Sequence, residues 1–163
     1  MKRAWLLAVV VVAGCESAPP PEPPREPIAE IREKMADHPD DLSLRYALAR
    51  EQEQKGLLEA ASLNYGIVAN ELPPKRYTRA MLAFGRVELA LGRDVSARRA
   101  FEAVLAVPPE NETSTTTNPD YREAAIRLAP LLLAAERWAE IEALHKRFMD
   151  ELGGDEEEWP IRY

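Results

Sequence analysis

The chain repeats itself. Residues 42–73 return 36 positions later: Leu48 falls on Phe84, Ala49 on Gly85, Arg50 on Arg86, Gly56 on Gly92, Ala61 on Ala97, Tyr65 on Phe101, Val68 on Val104 and Pro73 on Pro109. A third, weaker copy at a shift of 44 places Phe84 on Leu128, Gly85 on Ala129, Ala97 on Ile141 and Val104 on Phe148. The 8 additional residues match the polar insertion around Asn111–Thr117. A period of about 20–50 residues belongs to stacked supersecondary units, none of which buries its apolar face alone.

Each copy reads as two helices. In the first copy Leu44, Leu48 and Gln52 share one face beside small Ala47 and Ala49, and Lys55-Gly56 turns the chain. Glycine suits that turn because it adopts positive φ without steric cost. Leu57, Ala61, Tyr65 and Val68 then recur at helical spacing as one buried stripe, until Leu72-Pro73-Pro74 ends it. The second copy repeats this with Met81, Phe84, Gly85 and Glu88, then Gly92, then Ala97, Phe101 and Val104, then Pro108-Pro109. Small Ala49, Gly85, Ala61 and Ala97 let paired helices approach closely.

This pattern resembles the tetratricopeptide repeat. The resemblance lies in small Ala49, Gly85 and Ala129 in the first helix, Gly56 and Gly92 at the turn, Ala61 and Ala97 in the second helix, Tyr65 and Phe101 four residues on, and Pro73 and Pro109 at the end. The third copy departs from it. There Glu136 replaces the turn glycine, Ile141 the small residue and His145 the aromatic, and Pro130 is placed to kink the helix or end it early. The resemblance implies an all-α fold, a right-handed α-solenoid of about three helix-turn-helix repeats over residues 28–154. An N-terminal covering helix, with Ile28, Ile31 and Met35 on one stripe, would close the open end of the first repeat.

Residues 1–14 read as a signal peptide. Lys2-Arg3 is a positive start and Ala4–Val12 a short apolar run, well below the roughly 20 residues of a spanning helix. Ala13-Gly14-Cys15 resembles the lipobox of bacterial lipoproteins, which implies a diacylglyceryl group on Cys15 and cleavage just before it. Glu16 follows, and not the Asp of an inner-membrane retention signal, so an outer-membrane anchor facing the periplasm is expected. Residues 15–27 would be a lipidated, proline-rich tether with extended polyproline character. Cys15 is the only cysteine, so no internal disulfide forms and packing alone must hold the domain.

The chain carries 28 acidic against 21 basic residues, a formal net charge of −7, and loses Lys2 and Arg3 with the leader. This balance argues against nucleic acid and against electrostatic adhesion to anionic lipid. His38 and His145 lie in separate segments, and no HExxH, CxxC, GxSxG or phosphate-cradling glycine loop is present. The chain therefore reads as non-catalytic, without metal, cofactor or small-molecule substrate. His145, on a packed stripe, reads as a core histidine.

A surface remains. The repeat resemblance implies that first helices line a concave groove for segments of other proteins. Carried over position by position, that groove takes Tyr46, Arg50 and Glu53 from the first copy, and Arg79, Leu82, Arg86 and Leu89 from the second. Ile126 and Pro130 would make the third copy's share apolar. Arg50 and Arg86, one repeat apart, either present paired guanidinium forks to a carboxylate or pair with Glu51, Glu53 or Glu88 on their own surface. The acidic and aromatic tail, residues 155–163, either caps the last helix or binds a partner. The function expected is a periplasmic protein-interaction adaptor or assembly factor. The alternatives are a stoichiometric subunit of a secretion, pilus or motility machine, and an accessory that recruits an envelope enzyme.

Overall fold

The computed structural model describes residues 26–72, 74–107, 119–152 and 154–161, with 74–77 as backbone alone. The leader, Cys15, the tether up to Arg25, Pro73, Pro108-Pro109 and the Asn111–Asn118 insertion lie outside the described residues. Seven α-helices occupy the described residues, with no strand among them. They are α1 (Pro27–Asp37), α2 (Leu42–Gln54), α3 (Leu58–Glu71), α4 (Pro74–Ala90), α5 (Asp94–Ala106), α6 (Pro119–Ala134) and α7 (Trp138–Asp150). Each packs on the next in chain order, and α4 also touches α6.

The local chemistry sets these boundaries. Pro27 opens α1, where its missing N–H costs nothing. The Asp41 carboxylate caps α2 by accepting the backbone N–H of Ser43 at 2.8 Å and of Leu44 at 3.3 Å. The Ser43 hydroxyl's bond first, and then these backbone bonds, hold the Asp41 carboxyl below its usual range.

The three turns share one geometry. Leu57 N–H reaches Gln52 C=O at 2.8 Å, Arg93 reaches Glu88 at 2.9 Å, and Arg137 reaches Leu132 at 3.0 Å. One residue earlier, Gly56, Gly92 and Glu136 each donate at 3.0 Å to Glu53, Leu89 and Leu133. This double closure satisfies carbonyls that a helix end would otherwise orphan, and it requires a left-handed residue. Gly56 and Gly92 have φ of 73° and 72°, and Glu136 has 54°. The departure at Glu136 therefore changes the residue without changing the turn.

Burial follows the repeat. Ala49, Gly85 and Ala129 are all buried, as are Ala61, Ala97 and Ile141, and Val68, Val104 and Phe148. Small Ala49, Gly85, Ala61 and Ala97 bring the paired helices of the first two copies close enough for Tyr65 and Phe101 to fill the space between. Leu57 departs from its expected place. It sits at the start of α3, before the stripe turns inward, and is exposed. Pro130 does not end α6, which continues to Ala134. Leu128 and Ala129 before it and Leu132 after it are buried, and their packing holds the helix through the missing hydrogen bond.

The tail caps the last pair. The Asp155 carboxylate accepts the N–H groups of Glu157 and Glu158 at 3.0 and 2.9 Å, turning the chain back. Trp159 is buried, its ring 5.3 Å from Phe148 and 4.8 Å from His145. Glu158 pairs with Arg122 on α6. His145 is thus half-buried under Trp159, at the rim of the core and not inside it.

Candidate partner-binding face

The first helices, α2, α4 and α6, are tied across one face by charge. The Tyr65 hydroxyl donates to Glu53 Oε2 at 2.8 Å, and Arg86 Nη2 donates to Glu53 Oε1 at 3.5 Å. Arg86 Nη1 lies 3.7 Å from Glu123 Oε1, which accepts from Arg127 Nε at 2.7 Å. One arginine on α4 therefore joins carboxylates on α2 and α6. Burial, then the bond to Glu53, pushes the Tyr65 phenol far above its ordinary value.

The sequence-derived residues part company here. Arg86 and Glu53 are engaged by each other. Arg50 is exposed, and its guanidinium has no ion pair or hydrogen bond among the described residues. Arg79 is also exposed and lies 3.9 Å from Asp120 Oδ2. Leu82 is only 2% exposed and belongs to the core cluster with Phe101, Tyr121 and Ala125. It offers the surface nothing, because α4 has helices packed on both sides. Leu89 and Ile126 are partly buried against the same cluster, while Pro130 is exposed.

Tyr46 is the centre of what remains. Its ring meets Tyr65 edge-on at 5.4 Å. Burial raises its phenol above the ordinary value, while Arg79, Arg86 and Arg50 pull it down and Asp120 adds to the rise. Beside the ring a cleft of about 330 Å³ is lined by Leu42, Ser43, Tyr46, Val68, Leu72, Arg79 and Ala80. An apolar slot edged by exposed Arg79 suits a segment that carries both an apolar side chain and a carboxylate.

Sequence reasoning missed the α6 contribution of Asp120, Glu123 and Arg127. A signal existed: Glu123 stands where Arg79 stands, one repeat on, so opposite charges occupy one register. The cleft left none, since Val68 and Leu72 come from α3 and Leu42 from the helix before it. Compared with known proteins, the chain matches no protein-family model, no curated protein and no solved structure. What this face does follows from its own residues.

Proposed function

We propose that the chain is a tetratricopeptide-like α-solenoid that serves as a non-catalytic adaptor or assembly factor. A lipid on Cys15 anchors it to the outer membrane, with the helical domain in the periplasm. Its α2–α4 face takes a carboxylate-bearing segment of a partner protein. The observation that carries this reading is the apolar cleft that Tyr46 and Arg79 line together, with exposed Arg50 one helical turn beyond Tyr46 on α2. Aromatics and arginines dominate interface energetics, and Arg50 and Arg79 are exposed on this face. The triplicated turn and the matched small residues support the solenoid.

Two experiments test it. Cys15→Ala should leave a full-length precursor that no longer fractionates with outer membranes, and normal processing of that variant removes the lipoprotein reading. A photo-crosslinking residue at position 50 of the full chain should give a discrete protein adduct in native envelopes, whereas one at position 63 on α3 should give none. Equal adducts at both positions would place the binding face elsewhere.

A further inference from the structure

We propose that the end of the helical array formed by its three glycine-type turns rests on the surface of a lipid bilayer. The three turns line up. Arg93, in the α4–α5 turn, donates to Glu59 at the start of α3 at 2.7 Å. Asp94, Val95 and Arg98 share a cleft with Leu131, Ala134 and Ala135 at the end of α6. Five large apolar side chains are exposed among the described residues, and four lie at or beside this end. They are Leu57 at 49%, Val95 at 58%, Leu133 at 36% and Trp138 at 58%. Only Leu63 lies further along a helix, on α3.

Single exposed apolar residues are ordinary on any protein. Their gathering at one end of three successive turns is not, and tryptophan is the residue that favours a membrane–water boundary. The second observation is where the chain leaves. Glu26, the first described residue, lies 3.2 Å from Lys55 Nζ, beside the Gly56 turn. The described chain therefore begins at this same end, and the 11 residues from Cys15 to Arg25 can span about 40 Å at most. That length sets a ceiling on the distance from the membrane, not a floor.

Charge does not drive this contact. Lys55 pairs with Glu26, Arg93 with Glu59 and Glu88, and Arg137 with Glu102 and Glu140. Apolar insertion remains, weak for so few side chains and sufficient once a tether holds the domain at high effective concentration. The inference rests on the lipidated Cys15.

The test uses the full chain, purified from membranes in detergent and reconstituted into phosphatidylcholine vesicles, with and without brominated acyl chains. Subtracting the Trp138→Phe emission isolates Trp138, and the variant should fold normally by circular dichroism because the position is exposed. The expected result is a blue-shifted Trp138 contribution that brominated lipid quenches at least twofold. Leu63→Trp in the Trp138→Phe background should be unquenched. Three fluorescence outcomes overturn the proposal: an unquenched Trp138, equal quenching at position 63, or a blue shift without quenching, which would assign this end to a second copy of the chain. Intact mass of the same sample reports on Cys15. An unmodified thiol overturns both anchor and contact, whereas a lipidated chain with unquenched Trp138 leaves the anchor standing.

Discussion

Gly85 lies against the ring of Phe101 so closely that a Cβ on residue 85 would come within 2.6 Å of Phe101 Cε1. Phe101 is buried and has no room to withdraw. Gly85→Ala should therefore destabilise the protein by about 1–3 kcal/mol, the usual cost of overpacking a core. Gly56→Ala meets no atom within 4 Å and is strained only by its positive φ, at about 1 kcal/mol. Urea denaturation of both variants measures the difference. A Gly85→Ala midpoint equal to that of wild type would mean that α4 and α5 are not held this close.

Glu136 carries the opposite expectation. Its backbone is left-handed at φ 54°, where the first two repeats have glycine. Glu136→Gly removes the Cβ clash and gives back some unfolded-state entropy, so the expected gain is about 0.5–1 kcal/mol. Thermal melts check this. A destabilised Glu136→Gly would mean that the side chain contributes something the turn geometry does not reveal.

These glycines show why the fold was largely legible in sequence. Turn residues, small close-contact positions and the apolar stripe all recur at one offset, and each has a single physical cause. Where the reading failed, the cause was context. Pro130 reads as a residue that kinks its helix or ends it early, and it does not end α6, because buried Leu128, Ala129 and Leu132 outweigh one lost hydrogen bond. Leu82 maps by register onto exposed ground, yet α4 is central and packing reaches it from both sides. The tail was ambiguous because Trp159 finds its pocket on Phe148 and His145, residues that sequence alone does not bring together. The candidate face was half legible: arginine and aromatic positions followed the repeat, but their partners on α6 did not.

Tyr65 gives a pH signature. Its folded phenol is held well above the ordinary value, first by burial and then by Glu53. A raised folded value contributes stability that is complete below the unfolded phenol's pKa of about 10 and declines as pH rises beyond it. Tyr65→Phe should lose about 1–2 kcal/mol near neutrality with the bond to Glu53. It should also decline less steeply than wild type between about pH 10 and 12. Urea titrations at neutral and alkaline pH measure both. Parallel alkaline losses would remove Tyr65 as their source.

The arginines of the candidate face should separate into two kinds. Arg86 bridges Glu53 and Glu123, joining α2, α4 and α6. Its side chain is about one-third exposed, so solvent screening limits what the bridge contributes. Arg86→Ala should cost on the order of 1 kcal/mol, and Arg86→Glu more, because it places a third carboxylate beside two others. Arg50 has no partner to lose among the described residues, and Arg79 has only a distant one, 3.9 Å away. Arg50→Glu with Arg79→Glu should therefore lower the melting temperature little, since Arg79 is exposed and its contact with Asp120 is long, while adducts at a photo-crosslinking residue placed at Ser43 on the cleft's rim fall severalfold. Because both side chains are exposed, the loss should appear mainly in association rate, and wild-type capture should weaken as salt is raised. If Arg86→Glu alone abolishes capture with no change in melting temperature, Arg86 itself meets the partner and the bridge is incidental. If the Arg50 and Arg79 double variant captures the same partner at wild-type yield, the carboxylate-binding role does not belong to this face.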